Sequence, residues 1–205
     1  MTLTVVYSDD ALVAVDKPAG MLSVPGRGDD KQDCAARRVQ ALHADALVVH
    51  RLDMATSGLL VMARGAHAQR RLGIAFARRE VAKRYVALVR GRLPATHGEI
   101  DLPLGADWPN RPRQKVDAEH GKPSLTRYRV LSVDEAAGTS RVELEPVTGR
   151  SHQLRVHLQA IGHPIVGDAM YGGPAAARLL LHACELTLPH PLAQRAVRLQ
   201  SAVPF

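Results

Sequence analysis

The sequence predicts an α+β fold, an antiparallel-rich mixed β-sheet flanked by helices and loops, and three observations carry that expectation. Runs of apolar and β-branched residues of strand length recur from one end of the chain to the other. Helical periodicity is confined to three stretches. Strands and helices do not alternate regularly, which argues against a doubly wound parallel sheet. The 205 residues are 46% hydrophobic, enough for a sizeable core, and no repeat or long polar linker divides them. A single catalytic domain over residues 1–205 is therefore expected.

The first expected strands, Thr2 to Tyr7 and Ala11 to Val15, are joined through Ser8, Asp9 and Asp10 as a hairpin, and Lys17, Pro18 and Gly20 form the turn that follows. A short helix is expected over Ala35 to Leu42, then strands over Leu47 to Val49 and Leu59 to Ala63. Between Gly65 and Arg79, Ala68, Leu72, Ala75 and Phe76 recur at helical spacing, which leaves Arg70, Arg71, Arg78 and Arg79 on or near the wet side. Strands follow at Arg84 to Val89, Ser124 to Val133 and Ser140 to Leu144. The third helix covers Ser151 to Ile161: Ser151 caps it, Leu154, Leu158 and Ile161 share a face, and Gly162 ends it. Strands at Leu179 to Leu188 and Val197 to Leu199 complete the series.

A net charge of +7, carried mostly by arginine, suits an anionic polymer, since a guanidinium grips phosphate through two donors at once. A generic basic surface explains the charge equally well. Aromatic residues make up only 3% of the chain, too few for an open platform of stacked bases but enough for a pocket holding one base. No apolar run approaches the roughly 20 residues of a membrane-spanning helix. The N-terminal MTLTVVYSDD lacks the basic start and apolar run of a secretory signal, so a cytoplasmic location is expected. Cys34 and Cys184 stand alone, which suggests neither a disulfide framework nor a zinc ribbon. His152 and His157 point to different helix faces, and HExxH, GxSxG, Walker and GxGxxG patterns are absent, so the enzyme readings that remain rely on a carboxylate. His182-Ala183-Cys184-Glu185 lacks the order and the second half of a zinc deaminase motif.

Two stretches concentrate polar groups. His50-Arg51-Leu52-Asp53-Met54-Ala55-Thr56-Ser57-Gly58 lies between two strand-like runs and reads as a loop on a rigid scaffold, where catalytic groups tend to sit. Asp53 is either such a group or a turn former bonded to nearby amides, and the local pattern alone slightly favours the turn. Thr148-Gly149-Arg150-Ser151-His152-Gln153-Leu154-Arg155-Val156-His157 is a turn opening onto a helix, with Arg150 at its mouth. An arginine there serves either as the partner that keeps a buried carboxylate anionic or as an exposed phosphate contact.

HRLDMATSGLLVMA, from His50 to Ala63, resembles the signature of the RluA family of pseudouridine synthases. Four further blocks agree in order: DKPAG from Asp16, KRYVALVRG from Lys83, PVTGRSHQLRVHLQAIGHPIVGDAMYG from Pro146, and LLLHA from Leu179. DWPNRPRQKV, from Asp107 to Val116, is similar to a segment of the family's dual-specificity member, which acts on large-subunit (23S) ribosomal RNA and on the tRNA anticodon stem-loop. The resemblance spans nearly the whole chain. It implies the pseudouridine synthase fold without a preceding S4-like domain. It implies Asp53 as the catalytic aspartate, Arg150 as its ionic partner and Tyr85 as the ring stacked on the target base. It further implies that Leu154 lines the pocket and that Arg51, with His50 beside it, faces the RNA where the flipped nucleotide leaves a space. Arg70, Arg71, Arg78, Arg79, Arg111, Arg113 and Lys115 are the candidates for contacts to flanking phosphates. On residues alone Tyr85 reads as core, because Tyr85, Ala87 and Val89 alternate as a half-buried strand should.

The implied reaction breaks the bond from uracil N1 to ribose C1′, turns the base and joins C5 to C1′. It is internally balanced and calls for no cofactor, metal or nucleotide. Three routes stay open to Asp53: attack on the sugar, attack on the base, or removal of a ribose proton. A monomer acting on structured RNA is expected. The alternatives are a non-catalytic RNA-binding protein on the same scaffold and a nucleoside glycosidase, which needs a second positioned acid or base.

Overall fold

The structure, a computed structural model, describes residues 3–205. In chain order the elements are β1 (Thr4–Ser8), β2 (Leu12–Lys17), α1 (Ala35–Leu42), β3 (Ala46–Val48), β4 (Ser57–Arg64), α2 (Gly65–Ala77), β5 (Ala82–Arg90) and β6 (His97–Asp101). Then come β7 (Leu104–Ala106), β8 (Gln114–Val116), β9 (Leu125–Asp134), β10 (Thr139–Pro146), α3 (Gln153–Ala160), β11 (Leu181–Pro189) and β12 (Ala196–Gln200). The expected strand-rich α+β class is what the chain adopts. Thr2, where the first expected strand began, lies outside the described residues. The described residues form two compact units, one of residues 3–83 and 182–204, the other of 84–181 with Phe205.

In the first unit β1, β2 and β4 pair antiparallel in sequence, while β11 joins β4 in parallel at Ser57 and Gly58 and carries β12 on its other side. β3 pairs with the far end of β4. The residues of β2 and β4 alternate between two cores. Leu12, Ala14, Leu59, Val61 and Ala63 pack with Ala68, Leu72 and Ala75 of α2. Val13, Val15, Leu60 and Met62 pack with Ala35, Ala36 and Val39 of α1. Burial on both faces explains why these strands read as continuous apolar runs rather than as alternation. Each fully buried Leu or Val side chain contributes about 1.5–3 kcal/mol. Gly58 has φ +112°, and a Cβ there would stand 2.3 Å from the Ala183 carbonyl oxygen, so the parallel contact at the start of β4 admits only glycine.

In the second unit β5, β10, β9 and β6 lie side by side, all antiparallel. A separate hairpin joins β7 to β8, with Leu104 opposite Val116, and α3 lies against β8, β9 and β10. The third helix begins two residues later than the sequence suggested. His152, at φ 54°, takes the capping position without a side-chain cap bond, and Ser151 is exposed in the preceding turn. The reason lies in Gln153, whose Oε1 accepts the Arg150 N–H at 3.0 Å and so closes the turn from inside the helix. The strands β6, β7 and β8 are absent from the sequence reading.

Candidate active site

Asp53 is half-buried in the loop between β3 and β4, and what fixes that loop is a set of bonds to its main chain. On one side, Ser23 Oγ donates to the Leu52 carbonyl at 2.7 Å and accepts the Leu52 N–H at 3.0 Å. On the other, the Met54 carbonyl accepts from Gly20 N–H at 2.8 Å and from Lys17 Nζ at 3.3 Å. The residues before and after Asp53 are therefore both tied down. The turn closes through the Asp53 main-chain carbonyl, which accepts the Thr56 N–H at 3.1 Å.

Lys17 is wholly buried, and its ammonium also donates to the carbonyls of Met21 at 2.9 Å and Pro18 at 3.0 Å. A buried charge is tolerated only where such partners replace water. The DKPAG block thus holds the Asp53 loop in place: Lys17 and Gly20 grip Met54.

A second chain of bonds fixes the loop's exit. Ser57 Oγ lies 2.9 Å from His182 Nδ1, His182 Nε2 lies 3.0 Å from Ser201 Oγ, and Ser201 Oγ donates to Asp16 Oδ2 at 2.7 Å. Because the Ser201 proton goes to the carboxylate, its oxygen accepts from His182 Nε2–H. In the neutral ring Nδ1 then accepts from the Ser57 hydroxyl, and this tautomer follows from the network rather than from a located proton.

His50, at the loop's entrance, accepts the Val61 N–H on Nε2 at 2.9 Å, and its ring stacks on Phe76 with centroids 4.8 Å apart. Burial pushes its pKa down to about 4, with the Lys83 ammonium adding to the shift. The ring is neutral at physiological pH, and its observed contacts hold β4 and α2. Arg51 is exposed, as are Arg70, Arg71, Arg78 and Arg79 on and just beyond α2.

In the second unit Tyr85 is half-buried on β5, opposite Leu144 of β10. Arg150 is exposed, with Nε and Nη2 each 3.4 Å from the Pro123 carbonyl. Leu154 is buried on the first turn of α3. Arg111, Arg113 and Lys115 are exposed at and beside the tip of the β7–β8 hairpin.

The remaining side chains of the 148–157 stretch build a connected polar core. Gln153 Oε1 accepts the Thr148 hydroxyl at 2.7 Å, and its Nε2 donates to the Leu125 carbonyl at 2.9 Å and to Thr126 Oγ1 at 3.0 Å. His157 Nε2 donates to the Leu102 carbonyl at 3.0 Å, which leaves Nδ1 to accept from Thr126 Oγ1 at 2.9 Å. Burial lowers the His157 pKa against opposing pulls from the Leu102 carbonyl and Asp101, so the ring stays neutral. Arg155 donates to Asp168 through Nε at 2.7 Å and Nη2 at 2.9 Å, and its guanidinium lies 4.9 Å from the Tyr171 ring centre.

Lys17, Ser57, His182, Gln153 and the Arg155–Asp168 pair escaped the residue-level reading as site supports. A lysine inside an otherwise apolar strand next to a Pro-Gly turn is the one local signal that pointed to any of them. The others are recognisable only from partners distant in sequence.

The chain thus presents a carboxylate, Asp53, on a loop anchored by its main chain, together with arginines exposed on the surface. A family model described as RNA pseudouridylate synthase matches residues 11–160. The chain belongs to that family. It is 51% identical over 193 residues to the dual-specificity RNA pseudouridine synthase RluA of Escherichia coli strain K12, covering 92% of this chain and 88% of that one. The Yersinia pestis protein of the same name is also 51% identical, covering 92% of this chain and 93% of its own. Among solved structures, human RNA pseudouridylate synthase domain containing 1 superimposes with a TM-score of 0.82 at 31% identity, covering 100% of this chain and 84% of that one. Human RNA pseudouridylate synthase domain containing 4 gives 0.78 at 25% identity, covering 98% and 88%.

Proposed function

We propose that this chain is an isomerase that converts uridine to pseudouridine in structured RNA, with Asp53 as its catalytic carboxylate. The observation that carries the reading is the anchoring of the Asp53 loop on both sides of that residue, in a chain of the RNA pseudouridylate synthase family. Pinning the peptide groups on either side of a reacting side chain fixes its approach before substrate arrives, and fixed geometry lowers the barrier by removing orientational freedom that would otherwise be lost at reaction.

The isomerisation breaks N1–C1′, rotates the uracil, forms C5–C1′, releases the C5 proton to solvent and leaves a proton on N1. Atoms and electrons balance without a co-reactant. Arg150 is assigned as the ionic partner of Asp53, Tyr85 as the ring under the flipped base and Leu154 as pocket wall, all from the motif resemblance. Arg51 and His50 are assigned to the RNA side, His50 acting through the fold of the loop it holds. The exposed Arg70, Arg71, Arg78, Arg79, Arg111, Arg113 and Lys115 are assigned to phosphates. The targets proposed are the tRNA anticodon stem-loop and a site in 23S ribosomal RNA, modified by a monomer in the cytoplasm.

The test is tritium release from RNA carrying 5-tritiated uridine, using tRNA and 23S ribosomal RNA transcripts. The wild-type chain releases tritium from both, while Asp53→Asn binds both and releases none. A folded wild-type chain that binds these RNAs and leaves their uridines unchanged would favour a non-catalytic RNA-binding role. Free uracil in the supernatant would mark a glycosidase.

A further inference from the structure

The tip of the β7–β8 hairpin presents an indole without a hydrophobic reason to be there. Trp108 is the chain's only tryptophan, and it stands 66% exposed in the short 3-10 turn Trp108–Asn110. The Arg111 guanidinium carbon lies 3.6 Å from the ring centre, covering one face. An exposed indole contributes little to a core, and a planar cation laid on it strengthens the ring's use as a stacking surface.

The turn that carries Trp108 is well fixed. Asp107 N–H donates to the Arg113 carbonyl at 3.0 Å, and Asn110 Nδ2 donates to both Asp107 oxygens at 3.1 and 3.0 Å. Gln114 N–H donates to Tyr171 Oη at 2.9 Å, and that hydroxyl lies 2.7 Å from His152 Nδ1. Arg113 lies over the Tyr171 ring at 5.5 Å. The indole is thus tied to the 148–157 stretch through one tyrosine. From Asp107 to Val116 the charges are Arg111, Arg113 and Lys115 against Asp107 alone, and the Asp107 carboxylate is occupied by Asn110.

We propose that Trp108, backed by Arg111, is a specificity-determining shelf on which a nucleobase of the substrate RNA stacks, with Arg113 and Lys115 holding the adjoining phosphates. The inference rests on the reading that the ligand is structured RNA. A flat aromatic face beside concentrated positive charge is the pairing by which proteins hold an unpaired base and its backbone together. Asn110, Arg111, Arg113 and Lys115 are all exposed at or beside this tip, a polar and cationic setting that suits an anionic ligand better than an apolar protein surface.

The sole tryptophan makes the test direct. Asp53→Asn, which holds RNA without turnover, is titrated with an anticodon stem-loop while indole emission is followed and binding is measured separately by filter retention. Emission is quenched in step with occupancy. Trp108→Ala, in the otherwise wild-type chain, raises KM for tritium release by about 5- to 100-fold at unchanged kcat, the loss expected for one stacked base. Trp108→Phe recovers most of it. Thermal melts check that these surface variants stay folded, and a purely structural role for the stack predicts a lowered Tm with KM unmoved. Emission unaffected at saturating RNA, or an unchanged KM in Trp108→Ala, overturns the shelf. Quenching and RNA binding by a wild-type chain that releases no tritium would sink the enzymatic reading and leave the shelf standing. No RNA binding at all would sink both.

Discussion

Arg155 and Asp168 meet in a two-point ion pair, Nε to Oδ2 at 2.7 Å and Nη2 to Oδ1 at 2.9 Å, with side chains only 6% and 1% exposed. Asp168 also accepts the Tyr171 N–H on Oδ1 at 3.2 Å, so the pair ties α3 to the segment that carries the tyrosine under the hairpin. Breaking one side of such a pair leaves a charge buried without its counterpart. Asp168→Ala therefore costs about 3–5 kcal/mol, measured by urea denaturation, whereas Arg155→Met combined with Asp168→Leu costs much less. A single variant as stable as wild type would contradict this account.

Lys17 gives a second prediction, on activity. In Lys17→Met the carbonyls of Pro18, Met21 and Met54 lose their shared donor, and the Asp53 loop loses one of its anchors. If Asp53 acts as proposed, turnover falls more than RNA affinity does, because the loop's position matters to that carboxylate more than to phosphate contacts. Tritium release at saturating RNA measures the first, and filter binding the second.

The Ser57, His182, Ser201 and Asp16 chain predicts a graded response. Ser201→Ala leaves His182 Nε2–H without its hydroxyl acceptor and costs about 1–3 kcal/mol, while Ser201→Thr keeps the hydroxyl and restores most of the loss. Chemical denaturation of the two variants beside wild type decides the point.

Acid titration tests His50. Its native pKa of about 4 lies below the ordinary 6.5, so between those values the unfolded chain takes up a proton that the folded chain refuses. The resulting stability is fully present above pH 6.5 and declines as pH falls towards about 4, with a slope of up to about 1.4 kcal/mol per pH unit. His50→Gln keeps an acceptor for the Val61 N–H and cannot titrate. Its stability curve runs flatter than wild type over this range, and parallel curves would exclude His50 as the source.

Much of the fold was legible because local pattern and environment agree. β2 and β4 are buried on both faces and show it as unbroken apolar runs, and α1 spans the residues expected, Ala35–Leu42. β6, β7 and β8 were not legible. They are three to five residues long and carry Gly98, Glu99, Asp101, Gly105 and Lys115, types that signal turns or surface as readily as strand. At the site, Asp53 was legible as a polar residue in a loop, which is where the structure places it, and the family motif is what assigns it the catalytic role proposed above. Its supports were hidden for a definite reason: Lys17 and Ser23 bond to carbonyl groups at positions 54 and 52, and a carbonyl is the same in every residue. Gln153 was equally hidden, since its four partners lie on Thr148, Arg150, Leu125 and Thr126 and only folding brings them to one amide.

That the loop is gripped by its main chain also governs how it can change over generations. Leu52 and Met54 are held by their peptide groups, and the Met54 side chain projects outward, so the identity at that exposed position can change while the path of the chain cannot. A library randomised at Met54 should then yield many active members, separating what the side chain at this position can become from the preservation of the loop's path.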